Sequence, residues 1–143
     1  MRRYIAKIEL QENNKHSIGQ LGEFIFKYWF EKNFNREILH KQSADRDYEG
    51  IDFACNKGYT YQVKTTKEKT FTFNCKIENL KDHLRADYYV FIQIIDGFAY
   101  IEEIRDSEYV LNNSKQSYHY DNTFIWAKSL DTKQVNLNQL KLL

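Results

Sequence analysis

Apolar side chains recur every three or four positions over residues 18–33, a spacing that lines one side of an α-helix. The apolar positions are Ile18, Leu21, Gly22, Ile25, Phe26 and Trp29. Ser17 precedes this stretch as a suitable N-cap, and Gln20, three residues later, completes a capping box. The pattern therefore predicts a helix over residues 18–33 that ends at Asn33.

The next pattern is an alternation of apolar and polar residues, which is typical of half-buried strands. Residues 50–56 and 60–66 both alternate, and Asn56-Lys57-Gly58 between them has the composition of a turn. A short strand at 36–40 and a charged loop at 41–49 precede them. This part of the chain therefore predicts one strand followed by a β-hairpin.

The remaining segments complete an α+β pattern. The predicted elements are a short strand or helix at 4–10, an added or extended strand at 71–73, a helix at 77–85, an almost wholly apolar strand at 88–95, its hairpin partner at 98–104, a short helix near 106–111 and a strand at 124–128. The order of helix, three strands, helix and strand favours one central mixed sheet flanked by helices. We expect a single domain over residues 1–143, with its core at about 17–104.

Composition limits the partners and the compartment. The 21 Lys and Arg residues nearly balance 20 Asp and Glu residues, so any surface that binds nucleic acid must be local. Cys55 and Cys75 are too few for a disulfide framework and lie in apolar strands, which predicts two reduced, buried thiols in a cytoplasmic protein. No apolar run predicts a membrane span.

The hairpin carries the residues with the clearest chemical potential, Asp52, Gln62 and Lys64. A two-residue turn would place Asp52 opposite Val63, on the other face of the hairpin from Gln62 and Lys64. A three-residue loop at 57–59 would place Asp52 opposite Lys64, with Gln62 on the same face. We expect the second arrangement, because it also collects the apolar residues on the opposite face.

The chemistry of this set suits a site for a divalent cation. Carboxylate and amide oxygens are ligands that Mg²⁺ accepts, and an ammonium can stabilise the charge that develops at phosphorus. The simpler interpretation is a solvated strand pair, in which Asp52 and Lys64 form a cross-strand ion pair worth up to about 1 kcal/mol.

With Gly-Ile-Asp at 50–52 and Gln-Val-Lys at 62–64, residues 17–95 resemble the PD-(D/E)xK nuclease superfamily. That superfamily includes restriction endonucleases, archaeal-type Holliday-junction resolvases and Mrr-like enzymes. The resemblance implies a restriction-endonuclease-like fold and metal-dependent hydrolysis of DNA phosphodiesters, with Mg²⁺ as the cofactor and Mn²⁺ as a substitute.

The resemblance also implies roles for individual residues. Asp52, Gln62 and the backbone carbonyl of Val63 would bind the metal, with Glu23 of the first helix contributing directly or through water. Lys64 would orient or help deprotonate the attacking water. Glu23 also has a simpler interpretation, as an acidic residue at the edge of a solvated helix face.

Contacts with DNA are expected from residues around the end of the hairpin. Those residues are Thr65 and Thr66, as in resolvase-like relatives, and the local basic run of Lys67, Lys69, Lys81 and Arg85. A solvated charged face is the alternative for the basic run. A minimal nuclease domain must usually dimerise to cut both strands, and the aromatic residues Tyr109, Tyr118 and Tyr120 are candidates for that contact or for the core.

Two positions depart from the motif of the superfamily. No proline precedes the Asp, and Gln62 stands where the second acidic residue is expected, which removes one negative charge from the metal site. The sequence therefore leaves two other hypotheses open. One is an inactive nuclease fold that binds nucleic acid or regulates, and the other is a protein-interaction domain with no role on nucleic acid.

Overall fold

A computed structural model describes residues 4–11, 17–34, 38–40, 52–67, 72–76, 86–116 and 123–127 of the chain. The helices in these ranges are α1 (Ile18–Phe34) and α2 (Ser107–Asn113). The strands are β1 (Ala6–Glu9), β2 (Ile38–His40), β3 (Phe53–Cys55), β4 (Thr60–Thr66), β5 (Thr72–Lys76), β6 (Tyr88–Ile95), β7 (Phe98–Asp106), β8 (Lys115–Gln116) and β9 (Thr123–Ala127).

The strands form a mixed α+β architecture with two sheets. The main sheet has six strands in the order β1-β7-β6-β4-β3-β2, and β4 and β6 are parallel whereas its other pairs are antiparallel. Strands β5, β9 and β8 form a separate antiparallel sheet. The mixed sheet and the α+β class agree with the sequence prediction, but the expected single sheet is instead divided in two.

That division arises at β5, the strand expected at 71–73. It spans Thr72–Lys76 and pairs with β9 rather than with the hairpin before it. The helix predicted at 77–85 and the tail at 131–143 lie outside the described residues. The first helix, the hairpin strand β4 and the apolar strand β6 lie where the sequence patterns predict them.

Strand β6 occupies the centre of the main sheet, between β4 and β7. Its residues from Tyr88 to Gln93 are buried without alternation, because both faces of the sheet are covered. On one face, Phe26 and Phe30 of α1 pack against Tyr61 of β4, with ring centroids 5.4 and 5.7 Å apart.

The opposite face of the main sheet packs against α2 and the second sheet. Phe73 of β5 meets Phe91 of β6 with ring centroids 4.9 Å apart, and Val110 of α2 joins the same cluster. Asp106 caps α2 by accepting a hydrogen bond from the Tyr109 N–H at 2.8 Å. Strand β4 therefore lies between two packed layers, and its alternate residues face different ones.

Helix α1 is also tied to the edge of the sheet. Lys27 donates from Nζ to the Ile38 carbonyl at 2.8 Å, and the Ile38 N–H donates to the Glu31 carboxylate at 3.3 Å. These bonds join α1 to β2 and fix the flank of the helix that carries Glu23, one turn before Lys27.

Candidate metal centre

The β3–β4 hairpin has a loop of three residues, 56–58. The Cys55 N–H donates to the Tyr59 carbonyl at 2.9 Å and closes the loop. The ladder then pairs Phe53 with Tyr61. The Asp52 N–H donates to the carbonyl of the same Tyr61, so Asp52 does not lie opposite Lys64 and the expected pairing is wrong.

The conformation of Gly58 explains the difference. Its φ of 86° lies in the left-handed region, which the last residue of a three-residue hairpin loop adopts. The loop therefore ends at Gly58 and comprises residues 56–58, whereas the loop expected at 57–59 places Gly58 in the middle. The number of loop residues was predicted correctly, and its position was displaced by one.

The carboxylate of Asp52 lies at the edge of β4. Its Oδ2 accepts a hydrogen bond from the Val63 N–H at 2.8 Å, and Asp52 donates its own N–H to the Tyr61 carbonyl at 2.8 Å. The N–H and C=O of one strand residue point toward the same neighbour, so the Val63 carbonyl is directed to this edge as well. A carboxylate and a backbone carbonyl thus share one edge of β4.

Helix α1 brings a second carboxyl group to this edge. Glu23 is half-buried and hydrogen-bonded to Asp52, and burial raises the pKa of Glu23 to about 8, with the hydrogen bond and the negative charge of Asp52 adding to the rise. Two carboxyl groups at hydrogen-bonding distance share a proton or a cation more readily than they both ionise. The pair therefore favours the binding of a positively charged ligand.

Gln62 and Lys64 flank Val63 on β4 and face away from α1. Gln62 is only 8 % exposed, and its Oε1 has no hydrogen-bond partner within the described part of the chain. A buried unsatisfied acceptor is destabilising by about 1–3 kcal/mol, and such a group in a native fold calls for a ligand or another explanation. Lys64 is half-buried on the same face, beside Phe91 of β6.

The structure thus collects Glu23, Asp52 and the Val63 backbone at one edge of β4, with Gln62 and Lys64 on either side of Val63. Every candidate ligand is an oxygen atom, which suits a hard cation such as Mg²⁺ or Mn²⁺. No group of three His, Cys, Asp or Glu side chains that could hold a metal occurs among the described residues. A metal here would depend on two carboxyl groups supplemented by amide and carbonyl oxygens.

The residues expected to contact DNA are distributed differently. Thr65 turns its hydroxyl oxygen toward Gly22 of α1, where the oxygen is buried without a partner in the described region, so its position favours packing. Thr66 is half-buried and Lys67 is exposed at the end of β4. The other three basic positions, Lys69, Lys81 and Arg85, lie outside the described residues.

One feature of the surface was missed from the sequence. Phe24 and Tyr28 are 55 % and 58 % exposed on the outer side of α1, one turn apart, and the Lys32 ammonium lies 5.6 Å from the Tyr28 ring centroid. Their spacing of four residues was the available signal. Tyr109, expected at a dimer contact or in the core, is half-buried with the Arg105 guanidinium 4.6 Å from its ring centroid; Tyr118 and Tyr120 lie outside the described residues.

One buried thiol is present where it was expected. The Cys55 side chain is free and buried, and its sulfur accepts a hydrogen bond from the Tyr61 hydroxyl at 3.7 Å. The side chain of Cys75 is outside the described set. None of the described helices is long and apolar enough to cross a membrane.

Comparison with known proteins adds no relative to this picture. The chain matches no model of a known protein family and no curated protein.

Proposed function

We propose that the chain is a Mg²⁺-dependent DNA endonuclease with a restriction-endonuclease-like core. The observation that carries the proposal is the pairing of the Glu23 and Asp52 carboxyl groups beside the backbone of Val63. Two half-buried carboxylates repel each other, and a divalent cation bound beside them offsets that repulsion. In resolvase-like members of the superfamily that the motif resembles, a glutamate of the first helix reaches the metal directly or through water.

Each residue of the site has a separate role in the proposal. Glu23, Asp52, the Val63 carbonyl and the Gln62 Oε1 would hold the metal, which would polarise the phosphoryl group and lower the pKa of a bound water. Lys64 would orient the attacking water and stabilise negative charge on the phosphate oxygens. The Val63 N–H holds Asp52 in place through the 2.8 Å hydrogen bond.

The partners in this proposal are DNA and a second copy of the chain. Cutting both strands of a duplex usually needs two active sites, so we expect a homodimer or a higher oligomer. Phe24 and Tyr28 form an exposed apolar pair with which to test the contact, because solvent-exposed aromatic groups gain most from burial. The buried, free thiol of Cys55 suits the cytoplasm, where such a nuclease would meet its DNA.

A second candidate function is a catalytically inactive module that binds nucleic acid or regulates a partner. Gln62 favours it, because a neutral amide in place of a carboxylate weakens the attraction of the site for a cation. Such a module would bind DNA with a strong dependence on salt and would leave it intact.

A cleavage assay tests both candidates. Supercoiled plasmid, branched DNA and single-stranded DNA are incubated with the protein in Mg²⁺ or Mn²⁺, beside Asp52→Ala and Lys64→Ala. Lys57→Ala is a matched control, because Lys57 is an exposed lysine in the loop of the same hairpin.

Cleavage by the wild type and by Lys57→Ala, but not by the other two variants, supports the nuclease. Salt-dependent binding without cleavage supports the inactive module. If the wild type neither binds nor cuts any of the three DNA forms, the nuclease and the DNA-binding module are rejected, and regulation of a partner or another protein interaction is the hypothesis that stays.

A further inference from the structure

Helix α1 and strand β4 meet in unusually close contact where Gly22 faces Thr65. A side-chain carbon placed on Gly22 would lie 1.8 Å from the Thr65 hydroxyl oxygen, 2.9 Å from its β-carbon and 3.0 Å from its methyl carbon. These distances are well inside ordinary contact, so any residue other than glycine at position 22 would force the helix and the strand apart.

This contact adjoins the acidic pair on both elements. Glu23 directly follows Gly22 on α1, and Thr65 lies two residues after Val63, whose N–H holds the Asp52 carboxylate. The depth at which α1 packs on β4 at this point therefore determines how far Glu23 extends toward Asp52.

A second glycine on the same helix shows that this contact is specific to its position. A side-chain carbon placed on Gly19 meets no described atom within 4 Å. A glycine in a helix is normally less favourable than alanine because of its backbone entropy, and at Gly19 an alanine would simply remove that disadvantage. At Gly22 the same change meets the side chain of Thr65 instead.

Thr65 adds an independent indication that close packing is favoured here. Its hydroxyl oxygen is buried without a hydrogen-bond partner in the described region. The hydrogen that Gly22 carries in place of a side chain points at that oxygen, which is the geometry of a weak Cα–H···O contact. The contact with Gly22 thus compensates in part for the hydrogen bond that the buried Thr65 hydroxyl lacks.

We infer that Gly22 and Thr65 are positioning residues, whose contact sets the spacing of α1 and β4 at which the Glu23 carboxyl reaches Asp52. The consequence for metal binding rests on the proposed function. The spacing of α1 and β4, and the pairing of the two carboxyl groups that this spacing permits, do not depend on the proposed function.

The first test measures Mn²⁺ affinity and DNA cleavage with the full chain. Gly22→Ala should bind Mn²⁺ at least tenfold more weakly than the wild type and should cut DNA correspondingly more slowly. Adding Thr65→Gly removes all three clashing atoms and should restore most of the affinity. Gly19→Ala is the matched control and should bind Mn²⁺ as the wild type does.

Rescue separates positioning from general damage to the fold. Thr65→Gly alone measures the effect of a glycine within β4, and circular dichroism checks that each variant is folded. If Gly22→Ala retains wild-type Mn²⁺ affinity, or if Thr65→Gly fails to restore a lost affinity in a folded double variant, the inference is overturned.

A second test needs no metal and therefore distinguishes the two proposals. The urea midpoints of Glu23→Gln, Asp52→Asn and the double variant give the coupling between the two side chains. In the wild-type background, we expect the effects of Glu23→Gln and Asp52→Asn on stability to be non-additive. In the Gly22→Ala background the two effects should add, and they should become non-additive again when Thr65→Gly is combined with Gly22→Ala. This outcome in a chain that neither binds Mn²⁺ nor cuts DNA would reject the nuclease and support the inference. Equal coupling in all three backgrounds would overturn the inference alone.

Discussion

One carboxyl group of the main sheet and one of helix α1 are shielded from water in contrasting ways. Glu103 of β7 is 5 % exposed and forms an ion pair with Arg105, from Oε2 to Nε, at 3.3 Å. Glu23 of α1 is instead hydrogen-bonded to a second acid, Asp52, and its pKa rises to about 8. A compensated carboxylate contributes to the structure of the protein, whereas an acidic pair is unfavourable until a proton or a cation joins it.

The contrast predicts opposite responses to substitution. Changes at the Glu103–Arg105 pair should alter stability and leave metal binding intact. Changes at the Glu23–Asp52 pair should alter metal binding and pH dependence and have small effects on stability.

The largest effect is expected for Asp52→Asn. The amide can still accept the hydrogen bond from the Val63 N–H, so the hairpin should stay folded, but a charged metal ligand is lost. Cleavage of plasmid in Mg²⁺ should fall about a thousandfold, equivalent to about 4 kcal/mol of transition-state stabilisation. Single-turnover rates measure this, with thermal unfolding as the check on the fold. Cleavage within threefold of the wild type would show that Asp52 is not a ligand.

The Arg105→Met variant tests the compensated pair. It leaves the Glu103 carboxylate buried without its guanidinium partner, and it also removes the cation from the Tyr109 ring. We expect a loss of about 3 kcal/mol in the free energy of unfolding, measured with urea, because a buried carboxylate loses its ion-pair partner. Mn²⁺ affinity should not change in the folded protein. A variant of wild-type stability with weakened Mn²⁺ binding would contradict the claim that the Glu103–Arg105 pair affects stability and not metal binding.

Sequence patterns predicted this site in part, because two different features decide whether the hairpin loop is odd or even and which residues pair across the hairpin. An odd loop is enough to bring the apolar residues of β3 and β4 to one face, and the alternation of the two strands already requires it. The exact register depends on which loop residue is left-handed, and the φ of 86° at Gly58 decides that. Glycine at the end of a three-residue loop was an available signal that would have given the right pairing.

Other features of the fold depend on contacts between distant parts of the chain. The pairing of β5 with β9 joins segments about fifty residues apart, and local periodicity does not specify such a partner. The helix α1 was predictable from its apolar stripe, but the approach of Gly22 to Thr65 depends on how the helix sits on the sheet. The acidic pair, which combines Glu23 with the hairpin, follows from that same packing.

The pH dependence of stability tests Glu23 without a metal. Its pKa is about 8 in the folded protein against an ordinary value of 4.5, so the folded state binds more protons between these pH values. The free energy of unfolding should therefore fall as pH rises from 4.5 through 8, and this slope should be absent in Glu23→Gln. At high pH the variant should be more stable by about 1 kcal/mol, a discounted figure because solvent screens a half-exposed carboxyl.

Urea unfolding in a metal-free buffer across this pH range measures the effect. Glu31→Gln is a suitable control, because Glu31 is a half-exposed acid on the same helix and lies beside Lys27 instead of a second carboxylate. A wild-type profile parallel to that of Glu23→Gln would show that the Glu23 carboxyl is not protonated in the folded protein at neutral pH.

The last prediction concerns Gln62→Glu, which adds an acidic group beside Val63 on β4. The buried Gln62 Oε1 has no hydrogen-bond partner in the described region, so an oxygen at this position is available to bind a metal. A carboxylate oxygen attracts a cation more strongly than an amide oxygen. We expect Mg²⁺ affinity to rise about tenfold, or about 1.4 kcal/mol. The metal-free variant should be less stable than the wild type, because the added charge is buried. Isothermal titration with Mg²⁺ and urea unfolding measure the two changes, and they should have opposite signs. A variant that binds Mg²⁺ more weakly would show that Gln62 is not a ligand and that its buried oxygen has another purpose.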